Sequence, residues 1–207
     1  MNTNKAQNGF SLIELMITLA ILAILIMVAA PSMESSRKKS AVTGLQREFI
    51  SSLALARGEA SVKGRPVSIC PSADTQTCDT NTDWSKGWLV FLETGQGDGA
   101  YSSAAGDTLI RAYKNEGASK MKVVDPLDSN QKALNSLTWN ARGFSKDAQR
   151  ALVVVCDRSS DVKFARGLMI ASSGRAIKTR DSDGDGIHDM SFIEDNGSKV
   201  TAVLTCP

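Results

Sequence analysis

Asp181-Ser182-Asp183-Gly184-Asp185-Gly186-Ile187-His188-Asp189 brings four carboxylates into nine residues, in the pattern D-x-D-x-D-G-x-x-D. Calcium takes six to eight hard oxygen ligands, and alternating Asp in a tight loop delivers several to one point. The candidate ligands are Asp181, Asp183, Asp185, the Ile187 carbonyl and Asp189, with Gly186 permitting the sharp turn. The twelfth position of the loop is Phe192 rather than an acid. Glu194 or Asp195 could supply that acid through a bulge; otherwise the expected affinity for Ca2+ is weak, within the roughly 10⁻⁴–10⁻³ M of extracellular modules. Without a cation the same residues would be a solvated acidic loop. Just upstream, Arg175, Lys178 and Arg180 put three cations beside this loop. They could contact the phosphates of DNA, but no aromatic residues alternate with them to stack bases, and the Asp cluster opposes a polyanion. A charged strand edge that resists pairing accounts for them as well.

Other chemistry is thin. Four cysteines, Cys70, Cys78, Cys156 and Cys206, contain no C-x-x-C, and the only histidine is His188, so zinc is not expected. An even count in an exported chain reads as a disulfide framework with three possible pairings. Cys70–Cys78 across a local loop and Cys156–Cys206 tying down the C-terminus are favoured. There is no G-x-S-x-G, no Cys–His nucleophile and no recognisable pair of acid/base carboxylates, so no enzyme is expected. Gly95-Gln96-Gly97-Asp98-Gly99 lacks the Lys-Ser/Thr of a phosphate loop. A net charge of +2 and a pI near 8.3 do not announce nucleic acid by themselves.

The elements that must carry these groups begin with an apolar run. Within Leu15–Ala30 only Thr18 is polar, and membrane length, about 20 residues, is reached only by admitting Glu14. A carboxylate there costs about 3 kcal/mol or more on insertion scales and marks function; the alternative is a side chain that snorkels to the headgroups. Beyond Pro31, where a kink is expected, apolar residues recur at Val42, Leu45, Phe49, Leu53, Ala56 and Ala60 with helical steps. Gly64-Arg65-Pro66 should stop that helix. Short runs rich in Val, Ile and aromatics follow, among them Val67–Cys70, Trp88–Leu92, Ala151–Cys156, Gly167–Ala171, Ala176–Thr179 and Val200–Cys206. The expected fold class is α+β, a long N-terminal helix packed on a C-terminal antiparallel β-rich domain. The expected segments are a leader (1–9), a membrane or filament-core helix (10–31), an amphipathic helix (32–65) and the β-rich domain (66–207).

The N-terminus resembles that of type IV pilins and type II secretion pseudopilins, on Gly9, Phe10, Glu14 and Pro31. The resemblance implies cleavage between Gly9 and Phe10 and N-methylation of Phe10 by a prepilin peptidase/methyltransferase. It also implies that Glu14 guides assembly by pairing with the N-terminal amine of a neighbouring subunit. Leu55-Ala56-Arg57-Gly58-Glu59-Ala60, Val67-Ser68-Ile69-Cys70, Gly87-Trp88-Leu89-Val90-Phe91, Asn140-Ala141-Arg142-Gly143-Phe144 and Ser173-Gly174-Arg175 resemble the FimT/GspH-like minor pilins. That family implies a single-pass inner-membrane protein with a periplasmic globular domain, joining other major and minor pilins at or near a pilus tip and helping to start assembly. Two alternatives are a DNA-binding minor pilin for natural transformation and a type II secretion pseudopilin. DNA-binding members carry a Gly-Arg-x-Arg stretch; here Gly174 and Arg175 match, Ile177 stands where the second Arg belongs, and Lys178 and Arg180 are offset. Charge argues against the orientation, because Lys5 is the only basic side chain before the apolar run and Arg37-Lys38-Lys39 follow it. The Asp181–Asp189 loop also resembles calcium loops of the EF-hand and thrombospondin-repeat kinds.

Overall fold

The computed structural model describes residues 10–95, 97–128, 130–193 and 199–207; at 28–32, 191–193 and 199–203 it describes the backbone alone. The chain divides into two compact units, 1–38 and 39–207. One helix, α1 (Leu12–Lys63), contributes to both. Ser11 caps its start: the Ser11 hydroxyl and carbonyl accept from the Glu14 amide at 3.3 and 3.1 Å. Ser followed three residues later by Glu is the capping-box pattern, so the position of Glu14 also serves the helix start.

In the first unit the large apolar side chains from Phe10 to Met27 are exposed, and Glu34 pairs with Lys38 one turn on at 3.2 Å. Among the described residues no helix is long and apolar enough to cross a membrane. Gly9 and the rest of the leader lie outside the described residues, as does the side chain of Pro31, which falls within α1.

In the second unit the predicted seam of Val42, Leu45, Phe49, Leu53, Ala56 and Ala60 is buried. The helix stops at Lys63 because Gly64 takes a left-handed φ of 64° and Pro66 cannot continue it. Two four-stranded antiparallel sheets share the core with this helical face. The first runs β3 (Thr108–Lys114), β2 (Gly87–Leu92), β1 (Val67–Pro71), β5 (Leu137–Trp139); the second runs β4 (Lys120–Val124), β6 (Ala151–Cys156), β7 (Arg166–Ile170), β8 (Ala176–Lys178). Ile69, Trp88 and Val90 of the first sheet and Val153, Val155, Leu168 and Ile170 of the second meet the helix. Phe49 stands edge-on to Trp84 and Trp88, with ring centres 5.8 and 5.0 Å away. The Trp88 indole donates to the Ser52 hydroxyl at 2.8 Å, so this polar group is buried with a partner.

Successive strand residues point to opposite faces, and both sheets are covered on their outer faces too. Leu89 and Phe91 lie outward under Cys70, Cys78 and Tyr101. Leu152, Val154 and Met169 lie outward under Met190 and Leu204. Two-sided burial explains why β2 and β6 are apolar throughout, with no alternation. The second cover is a hairpin of β9 (Asp189–Ile193) and β10 (Lys199–Val203). Here the structure departs from the sequence reading: β9 has no counterpart in it, and the last strand ends at Val203, because from Leu204 the chain turns to bury that side chain. Cys70 is bonded to Cys78 and Cys156 to Cys206, with Cα separations of 5.6 and 5.9 Å.

Candidate functional site

The loop between β8 and β9 is closed at its base. Asp189 donates its amide to the Arg180 carbonyl at 2.8 Å, and His188 Nδ1 lies 3.0 Å from the Thr179 carbonyl, to which it donates. Thr179 is itself held to Gly167 of β7. Burial, with help from the Arg166 guanidinium, pushes the His188 imidazole below its ordinary value, so it is neutral near pH 7. Above this base, oxygens of Asp181, Asp183 and Asp189 lie within 4.8 Å of one another. The glycines let the backbone fold back on the carboxylates: Asp181 accepts from the Gly184 and Gly186 amides at 2.7 and 3.0 Å, and Asp189 accepts from Ser182 at 3.1 Å. Asp185 is not one of the trio; it accepts from the Ile187 amide at 2.7 Å. Three of the five candidate calcium ligands thus converge by side chain.

The basic stretch is divided. Lys178 and Arg180 line a cavity of about 620 Å³ with Met169, Ile177, Met190 and Asp189. Arg175 lines a separate cleft of about 420 Å³, shared with Ile50, Leu53, Ala54 and Arg57 of α1. Strand β8, with all three residues exposed, is the edge of its sheet.

The cleft around Arg175 is built by turns that interlock. Gly174 has φ 75° and sits where a Cβ would come within 2.5 Å of the Gly143 carbonyl and 2.8 Å of the Trp139 indole nitrogen. That nitrogen donates to the Gly174 carbonyl at 3.1 Å. Gly143, also at φ 75°, presses on Ser61 and Arg57, where a Cβ would lie 2.6 Å from the Ser61 hydroxyl. At Gly174 a side chain would strike backbone, and at Gly143 it would be strained by the left-handed φ and would have to displace the Ser61 hydroxyl. Three separated sequence blocks, 55–60, 140–144 and 173–175, therefore meet here. Arg57 had no assigned role in the sequence reading; its signal was its place in the first of these blocks.

An N-terminal segment bearing a processing motif, followed by a helix laid on antiparallel sheet, defines a pilin-class filament subunit. Residues 4–30 match the prokaryotic N-terminal methylation motif. Residues 45–174 match the family described as type II transport protein GspH, and the chain belongs to that family, as a minor pilin or pseudopilin of the GspH/FimT-like kind. The crystal structure of the type IV minor pilin FimU of Pseudomonas aeruginosa (strain PAO1) in space group P21 has a similar fold. It has a TM-score of 0.51 and 20% identity, over 72% of this chain and 93% of that one. A second crystal form of FimU, in space group P65, gives a TM-score of 0.48 and 21% identity, over 68% of this chain and 91% of that one. No curated protein matches the chain significantly.

Proposed function

We propose that this protein is a minor type IV pilin that enters the filament at or near its tip and helps to start assembly. The observation that carries this is the joining of a methylation motif at 4–30 to a GspH domain at 45–174 in one chain. Cleavage between Gly9 and Phe10 would free a cationic amine, and the Glu14 carboxylate follows one helical turn on. Each charge, in an apolar setting, needs an opposite partner on another subunit, which gives register as well as attraction. The exposed side chains from Phe10 to Met27 fit inner-membrane lipid before assembly and other pilins after it. The globular domain would then face the periplasm, where its two disulfides persist.

Calcium binding belongs to this reading as a stabiliser of the β8–β9 loop. Asp181, Asp183 and Asp189 support it by their convergence, with backbone oxygens such as that of Ile187, and water, completing the shell. One second reading has an observation of its own: the matching family is described as a type II transport protein, which favours a secretion pseudopilus. A DNA-receptor reading would draw on Arg175 at one cleft and on Lys178 and Arg180 at another.

The test is a deletion strain scored for surface pili, protein secretion and DNA uptake together. Loss of pili supports the proposal. Intact pili with failed secretion assigns the protein to the secretion system, and intact pili with failed uptake returns attention to Arg175, Lys178 and Arg180.

A further inference from the structure

The cleft between α1 and the turn preceding β8 has two properties together. Two guanidiniums, Arg57 and Arg175, line it, and among the described residues neither has a carboxylate partner. Ile50, Leu53 and Ala54 give the same cleft an apolar floor. Unpaired guanidiniums beside an apolar floor want an anion with planar, two-pronged acceptors.

We propose that this cleft docks an acidic segment of a neighbouring pilin, with an Asp or Glu carboxylate between Arg57 and Arg175 and an adjoining apolar side chain on the Ile50–Ala54 floor. The inference rests on the filament-subunit reading above and names the surface by which the globular domain meets its neighbour. Charge complementarity selects the acidic partner, and the apolar floor selects a peptide over a polyphosphate. A nucleic-acid strand would call for cations in a row, whereas Lys178 and Arg180 line the other cavity beside Asp189. The interlocked Gly143 and Gly174 turns hold the Arg175 side of the cleft in place before a partner arrives, which lowers the cost of binding.

The full chain, made in its own cells with a benzophenone-bearing amino acid at position 54, tests this under ultraviolet light. The expected product is an adduct to another pilin, identified by its peptides. Its yield should fall by about tenfold or more in Arg57→Gln/Arg175→Gln, the factor for losing a charge-assisted hydrogen bond, and should hold in Lys178→Gln/Arg180→Gln. An adduct to nucleic acid, no adduct to a pilin, or a yield unchanged in Arg57→Gln/Arg175→Gln would overturn the proposal. If the double variant does not accumulate, Arg175→Gln alone, at an exposed site, gives the same readout. Pili kept on deletion of the whole protein would remove the pilin reading itself; pili lost on deletion but kept in Arg57→Gln/Arg175→Gln would remove only the docking cleft.

Discussion

Both sheets have their outer faces covered, and the two covers are built differently. Over the first sheet, Cys70–Cys78 spans eight residues, and the loop inside it compensates its own charge. The Asp74 carboxylate accepts from the Gln76 and Thr77 amides at 2.8 Å and from the Thr77 and Ser72 hydroxyls at 2.8 and 3.1 Å. The Thr77 and Gln76 amides hold its carboxyl far below the usual carboxylate range. Over the second sheet, the hairpin and the C-terminus depend on Cys156–Cys206, fifty residues apart. There, three carboxylates converge beside a histidine kept neutral by burial. A local cover carries its own compensation; a long-range cover borrows it, and should respond to cation where the first does not, more strongly to reductant, and to acid at a higher pH.

The largest effect expected is that of the disulfides. On the chain-entropy relation, Cys156→Ser/Cys206→Ser should cost about 4 kcal/mol and Cys70→Ser/Cys78→Ser about 2.5 kcal/mol. Denaturant unfolding of the full chain in detergent measures both. Equal losses, or a greater loss at the short loop, would break the contrast between local and long-range covers.

Calcium comes next. At ten times its dissociation constant, a ligand binding only the native state adds about 1.4 kcal/mol. Millimolar calcium should therefore raise the melting temperature, and Asp181→Asn/Asp183→Asn should remove the rise. Asp74→Asn, in the self-compensated loop, should leave the rise intact while lowering the starting temperature. A rise that survives in Asp181→Asn/Asp183→Asn would place the cation elsewhere.

Local pattern and long-range contact were not equally legible in the sequence. The seam from Val42 to Ala60 repeats with helical steps over five turns, so its burial could be read directly. The runs of β2 and β6 are apolar without interruption, which only strands buried on both faces sustain. β9 is hidden in the sequence because Asp189, its first residue, reads as a ligand, and the strand makes sense only against β10. The Arg57–Arg175 cleft is hidden for a related reason. No periodic signal joins residues 57, 143 and 174; they are brought together by turns whose fit depends on two glycines without side chains. The acidic loop lies between. Its Asp spacing announces a cluster, while the turn geometry that admits Asp189 and leaves out Asp185 does not follow from spacing.

Acid should separate the two covers in sequence. His188 has a folded-state value below its ordinary one, so the native protein binds fewer protons there than the unfolded chain. Its contribution to stability is complete above about pH 6.5 and declines as pH falls through that value, since protonation then favours the unfolded chain. Asp74 works at lower pH. Its carboxyl is depressed in the folded state, so its contribution is complete above about pH 4 and is lost as acid is added below that. Between about pH 7 and pH 5 only the second cover should loosen, an effect limited by the partial exposure of the imidazole. Amide protection, measured against the intrinsic exchange rate at each pH, should fall in β6 and β7, which bond beneath that cover, over this interval, while β1 and β2 hold until the pH falls below about 4. His188→Gln should flatten the upper step, because glutamine takes up no proton there and can still donate to the Thr179 carbonyl; an upper step unchanged in that variant would assign it to another group.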